Sequence, residues 1–342
     1  MQATVRQQHE RTVHWIGVLL SLAMLGACNN PPAERADTAG SKQDGPIIVY
    51  SAAAITQPMH AVLDSFSART GVQYQQETAA SLELARKVTE LGGTPDVMVL
   101  ADPEIFATLL SPKFTPWHAV FARNRIVLAY TAKSQGAGAI DSLNWFKVIA
   151  RPNVEVGRAD PNTDPSGYRT LLVWQLAERF YHVPGLYDAM LRAAPARNVR
   201  AREAEQVALL QAGELDYIWT YQNLAENAGL PYVRLPSAID LGEPADSASY
   251  AFASTRVRGR KTGDTLTMRG HPILFGVSIP TTAHHAAAAS RFVAFLLSPD
   301  GARILRGKHF DALDRPLFYG PAIPPALHAL DSTAVRDTAR RR

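Results

Sequence analysis

Two acids, Asp164 and Glu203, and three segments that open helices are the places in this sequence where residue type and spacing allow chemistry. Unpaired backbone N–H groups and the helix dipole make a helix N-terminus a site for an anion. The first such segment is Ser51-Ala52-Ala53-Ala54-Ile55-Thr56, directly after an apolar run. The second is Ala79-Ala80-Ser81-Leu82-Glu83, where Ser81 either caps the helix or offers its hydroxyl to a ligand. The third is Asp160-Pro161-Asn162-Thr163-Asp164-Pro165-Ser166-Gly167-Tyr168-Arg169, with Asp164 placed as N-cap and Pro165 as the first helical residue. Glu203 sits in the first turn of a helix through Leu210, where the dipole favours an acid. Taken singly, each of these is ordinary capping; three of them facing one cleft would be a binding site. Tyr221 ends a strand predicted over 215–221, where an α/β lobe places ligand contacts, with a core tyrosine as the alternative.

Signatures of catalysis are missing. There is no glycine-rich dinucleotide or phosphate loop, no Gly-x-Ser-x-Gly and no His-Glu-x-x-His. His284-His285, the densest histidine feature, reads as solvated side chains near a helix start rather than as metal ligands.

The elements that must position these residues alternate between short β-branched runs and amphipathic helices, the pattern of parallel α/β layers. Strands are expected at 47–51, 72–75, 96–100, 153–159 and 215–221. Helices are expected over 166–181 and 202–212, from Ser81 to Leu91, and through Met59, Val62, Leu63 and Phe66. Two further strands, 124–130 and 272–280, read as crossings between lobes. This divides the chain into one lobe of 46–128 plus 279–330 and a second of 129–278, with a ligand cleft between them.

The chain has 342 residues, 46% of them apolar, enough for a large core. Its net charge of +4 is mild and scattered, which argues against nucleic acid as a partner. Residues 1–27 carry Arg6 and Arg11, then the apolar run 15–24, then Leu25-Gly26-Ala27-Cys28. The run is too short to span a bilayer and reads as the core of an export signal. Its end resembles a bacterial lipobox, which makes Cys28 the expected lipid anchor. Cys28 is the only cysteine, so disulfides and thiolate metal sites are excluded. Residues 28–45 are polar and rich in helix breakers, a disordered tether, and 331–342 form a basic tail.

Four stretches together resemble the tungstate/molybdate-binding proteins of ABC transporters. They are 123–131, the Asp160-to-Arg169 string, Ala212-Gly213-Glu214-Leu215-Asp216-Tyr217, and Phe295-Leu296-Leu297-Ser298-Pro299-Asp300-Gly301. The resemblance runs from about 47 to 327 in the family's order, and the Asp-Pro-Asn-x-Asp-Pro-x-Gly-Tyr-Arg string is its specific part. It implies a two-lobed periplasmic-binding-protein fold, type II-like, closing over a tetrahedral oxyanion with no catalysis and no cofactor. It also implies delivery of the anion to an ABC permease in the inner membrane by a lipid-anchored monomer in the periplasm. By motif, a family serine falls on Ser81, two metal-approaching carboxylates on Asp164 and Glu203, and the tyrosine on Tyr221. The other family serine falls on Ala54, so one hydroxyl donor is missing, and Ser166 replaces a common cysteine.

Acids beside a dianion repel it. A tungsten or molybdenum centre can add ligands, so Asp164 and Glu203 would donate oxygen to the metal where sulfur cannot accept it, selecting against sulfate. Three other readings remain: a binding protein for another oxyanion such as sulfate or a phosphonate, a secreted hydrolase with Asp164 and Glu203 as paired acids, and a lipoprotein that only recruits a partner, for which no long exposed apolar pattern speaks.

Overall fold

β-branched and aromatic runs become strands and the amphipathic segments between them cover the strands. The computed structural model describes residues 45–259 and 263–330. The expected signal segment with Cys28, residues 28–44 of the tether and the tail at 331–342 lie outside the described residues. In chain order the first strands are β1 (Ile47–Ala52), β2 (Tyr74–Ala79), β3 (Val97–Leu100) and β4 (His118–Asn124). Then come β5 (Ile126–Tyr130), β6 (Val156–Ala159), β7 (Val199–Arg200), β8 (Tyr217–Tyr221) and β9 (Tyr232–Arg234). A ribbon of β10 (Ser254–Arg258) and β11 (Thr265–Arg269) precedes β12 (Ile273–Ser278) and β13 (Asp311–Tyr319).

The first sheet has the order β13-β4-β12-β3-β1-β2 and the second β7-β6-β8-β5-β9. β1 runs parallel to β2 and β3, and β6 parallel to β7 and β8, whereas β12 and β5 are antiparallel to their neighbours. The chain thus forms an α/β molecule of two lobes, each built on its own mixed sheet. Among the described residues, no helix is long and apolar enough to cross a membrane.

The exchange between lobes differs in detail from the sequence-based expectation. The apolar run 124–130 is not one strand. Asn124 still pairs with β12, while Ile126 pairs with Tyr221 in the other sheet, so the crossing is the single residue Arg125 and not Leu128. Asn124 makes this break: its Nδ2 donates to Asn223 Oδ1 at 2.6 Å and its Oδ1 accepts from the Arg125 amide at 2.9 Å. Residues 273–278, expected in the second lobe, belong to the first sheet, where β12 lies between β3 and β4.

The helix Thr56–Thr70 buries Met59, Val62, Leu63 and Phe66, the face expected from its spacing, and Phe66 meets Phe292 edge-on at 5.4 Å. In the second lobe Trp219 of β8 packs edge-on to Trp145 at 5.1 Å and to Trp174 at 5.9 Å. Trp174 belongs to the helix Pro165–Phe180, so this aromatic cluster fixes that helix on the sheet. Gly167 allows the helix to start close to β6, since a Cβ there would lie 2.6 Å from the Ala159 carbonyl oxygen.

Candidate ligand-binding site

Asp164 caps the helix Pro165–Phe180 as its spacing predicts. Its Oδ1 accepts from the amide and the hydroxyl of Ser166, both at 2.9 Å. One oxygen is thereby committed to the cap. The other, Oδ2, has only the amide of Glu203 at 3.4 Å. Glu203 starts the helix Glu203–Ala212, so two helix N-termini of the second lobe meet at this pair of acids.

Both acids are buried, Glu203 completely, and neither carboxylate oxygen of Glu203 has a hydrogen-bond partner. Burial first, and then the charge of Asp164, push the Glu203 carboxyl well above the ordinary range; the nearby Ser166 hydroxyl and Tyr221 backbone offset only part of this. Burial also raises Asp164, against the two hydrogen bonds from Ser166.

Ser81 begins the helix Ser81–Glu90 without capping it, because Ala80 occupies the N-cap position. Instead its Oγ accepts from the Ala101 amide at 2.9 Å. Tyr221, the last residue of β8, is fully buried, and its Oη accepts from Arg169 Nη1 at 2.6 Å. The Ala101 carbonyl accepts from the same guanidinium nitrogen at 2.6 Å, which joins Ser81 to Tyr221 through two intermediaries. Ala54 lies in the turn Ala53–Ile55, which packs on the Glu203 helix. It offers no side-chain donor; its carbonyl accepts from Asn223 at 2.8 Å, two residues beyond Tyr221. The five residues named from sequence therefore gather where the lobes meet.

The lobes touch around this cluster. The Leu82 amide donates to the Thr163 carbonyl at 3.2 Å, and Arg86 donates to the carbonyls of Asn162 and Arg258, each at 2.7 Å. A groove between Thr56 and Pro58 of the first lobe and Val207 and Leu224 of the second runs alongside.

Sequence reasoning missed the charged group behind the site. Arg169 is buried, with Nη2 3.0 Å from Asp102 Oδ2. The Tyr168 hydroxyl donates to the same oxygen, and His271 Nε2 stands 3.5 Å from it. Burial alone would raise Asp102, yet Arg169 and then His271 hold it well below the usual carboxylate range. Burial likewise opposes charge on His271, but Asp102 outweighs it and pushes the imidazole up to about 10. Asp102, Glu104 and His271 are close enough to share a cation, but Arg169 already neutralises Asp102. The available signal was Arg169 itself, a cation followed by Leu171, Leu172, Val173 and Trp174, since a charge on a buried helix face requires a partner. The His284-His285 pair stands at a helix start with His284 exposed and His285 partly so, and the His285 amide and Nδ1 also bond the buried Asp96 at 2.7 and 3.1 Å.

The model of a family described as bacterial extracellular solute-binding protein matches residues 47–311. The chain belongs to this family. A solute-binding protein of Petrotoga mobilis is 38% identical over 262 residues, covering 76% of this chain and 82% of the relative. The molybdate/tungstate-binding protein WtpA of Thermococcus kodakarensis is 29% identical over 337 residues, covering 89% and 94%. In structure the chain is similar to the periplasmic molybdate-binding protein of Azotobacter vinelandii, with a TM-score of 0.53 and 17% identity over 77% of this chain and 98% of that one. It is also similar to the sulfate-binding protein SubI of Mycobacterium tuberculosis, with a TM-score of 0.55 and 18% identity over 79% and 88%. These structural likenesses establish the two-lobed binding-protein fold.

Proposed function

We propose that this solute-binding protein captures tungstate or molybdate between its lobes and delivers it to an ABC permease, held at the membrane by lipid on Cys28. The observation that carries this reading is the bare carboxylate of Glu203, fully buried with no hydrogen bond to either oxygen. A buried acid without partners costs about 1–3 kcal/mol or more. Once Glu203 is ionised, a sulfate or phosphonate would add a second negative group against it. A metal centre that accepts additional oxygen ligands turns the same acid into an attractive contact, with Asp164 Oδ2 beside it as the second donor. Ser81 and Tyr221 then serve the oxo groups, and Ala54 contributes backbone where related proteins place a hydroxyl.

The WtpA relative, whose name gives molybdate and tungstate, supports the choice of anion. The hydrolase reading is disfavoured by the commitment of Asp164 to its cap and by the burial of both acids. Calorimetric titration with tungstate, molybdate and sulfate tests the proposal. Tight binding of tungstate or molybdate with weak or no binding of sulfate is expected; preference for sulfate, or no binding of either metal oxyanion, refutes it.

A further inference from the structure

We propose that Arg169 is a positioning residue that converts closure of the lobes into a pair of correctly oriented hydroxyl donors, one from each lobe. The inference rests on the function proposed above, in that it takes Ser81 and Tyr221 as donors to the anion. It concerns how they come to be donors at all.

A hydroxyl donates or accepts according to its neighbours. At Tyr221 the phenolic oxygen accepts from the Arg169 guanidinium at 2.6 Å, so its proton is turned away from Arg169 and remains free to donate. At Ser81 the oxygen accepts from the Ala101 amide at 2.9 Å, with the same result for its proton. Arg169 ties the two arrangements together, because Nη1 also donates to the Ala101 carbonyl at 2.6 Å while Nη2 lies 3.0 Å from Asp102 Oδ2. Ala101 is thus held at its amide by Ser81 and at its carbonyl by Arg169.

The lobes on which these groups sit decide the mechanism. Ser81, Ala101 and Asp102 belong to the first lobe, on the helix after β2 and directly after β3. Arg169 and Tyr221 belong to the second, on the helix after β6 and on β8. The contacts of Arg169 with Ala101 and Asp102 exist only with the lobes together. Separation would leave Tyr221 with its guanidinium but remove the restraint on Ala101, and with it the fixed orientation of Ser81. A guanidinium is required, since Nη1 serves acceptors in two segments, Ala101 and Tyr221, while Nη2 faces the Asp102 carboxylate; a lysine ammonium has the charge without the reach. Asp102 is shaped to receive it, since its other oxygen accepts from the Glu104 amide at 2.9 Å.

The test is a double-mutant cycle on the full chain, using Arg169→Lys, Tyr221→Phe and the pair, titrated calorimetrically with tungstate, molybdate and sulfate in turn and evaluated with the anion that binds. Arg169→Lys is expected to raise Kd by about tenfold or more, on the scale of a lost charged hydrogen bond. In the Tyr221→Phe background the same change is expected to raise Kd by much less, because part of its effect passes through the phenol. A purely structural arginine gives a double variant whose loss is the product of the single losses, and that result overturns the proposal. If Arg169→Lys does not fold, Asp102→Asn replaces it. It keeps a carbonyl oxygen for the Glu104 amide, turns an NH2 toward the Tyr168 hydroxyl, which can accept, and removes the charge that holds Arg169 against the first lobe; an unchanged Kd, or no coupling to Tyr221→Phe, overturns the proposal equally. A parent that binds none of the three anions refutes the function and this inference together. A parent that binds with an uncoupled cycle refutes this inference alone.

Discussion

Replacing Glu203 with glutamine is expected to make the ligand-free protein more stable at neutral and alkaline pH while removing most of its response to tungstate. The folded carboxyl is held well above its ordinary value, by burial first and by Asp164 second. Between the unfolded and folded values the native protein keeps a proton that the unfolded chain releases. More protons on the native state means that stability falls as pH rises, by up to about 1.4 kcal/mol per pH unit for one group. The loss begins near the ordinary value of 4.5 and continues until the folded carboxyl ionises. Glutamine has no such titration, and its amide can donate toward Asp164, whose Oδ2 has only a 3.4 Å contact.

By pH 8 the variant should therefore gain about 1–3 kcal/mol, the scale of a buried unsatisfied group. That corresponds to several degrees in Tm for a chain of this size, at about 2–4 °C per kcal/mol. At pH 5 the difference should nearly vanish. With tungstate at a thousandfold excess over Kd the parent gains about 4 kcal/mol, and the order of the two melting temperatures should reverse. Thermal melts at pH 5 and 8, with and without tungstate, give all four values. A variant less stable than the parent at pH 8 without ligand would refute the reasoning, since it would mean that Glu203 has a partner in the empty protein.

Asp164→Asn keeps a competent helix cap, so stability should change by less than about 1 kcal/mol, while tungstate binding weakens by about 1–3 kcal/mol in calorimetry. Cys28→Ala should release the protein from membranes or leave it unprocessed, as read by fractionation; lipidated, membrane-bound variant would refute the anchor. Arg86→Ala, which removes the clamp on Asn162 and Arg258, should raise Kd for tungstate and molybdate by the same factor, because it changes the closed population and no ligand contact. His118, stacked between Phe106 and Tyr319 at 5.3 and 5.1 Å, is pushed down to about 4 by burial. From its ordinary value of 6.5 down to about 4 the native state therefore binds fewer protons than the unfolded chain, and stability is lost as pH falls through that window; His118→Phe should flatten this part of a pH-dependent melting curve.

The parts of the site that rest on local geometry were legible in the sequence. Asp164 and Pro165 announce a helix start because a cap reaches only two residues forward, and the bond from the Ser166 amide is that bond. The apolar face of Thr56–Thr70 follows from helical spacing alone. Arg169 was visible but not interpretable, because its acceptors at Ala101 and Tyr221 lie 68 and 52 positions away. The split of 124–130 was hidden for the same reason. A continuous apolar run contains no mark of a sheet change, and the residue that breaks it, Asn124, is held by Asn223, 99 positions distant. Ser81 could not be decided from its type and place, which allow a cap or a ligand contact; tertiary structure takes it out of the cap and gives its oxygen to the Ala101 amide.

Under the proposed function, affinity and selectivity would be carried by different groups, and the separation has a physical cause. Arg86, Arg169 and the contact of Leu82 with Thr163 hold the lobes together through backbone carbonyls and the Asp102 carboxylate. Their strength enters the binding of every anion that the closed cleft accepts, because a ligand gains only from the population already able to close. Glu203 acts differently. Its cost in the empty protein is the same whichever anion arrives, and on the proposed reading a centre that takes up further oxygen ligands would recover that cost by coordination. Strengthening closure therefore raises affinity without choosing among anions, whereas the bare acid chooses among them at the expense of the empty fold. Under the proposed function, a protein with both would keep a cleft that closes readily and still discriminate by the chemistry of the central atom, a distinction that charge alone would not make among tetrahedral dianions.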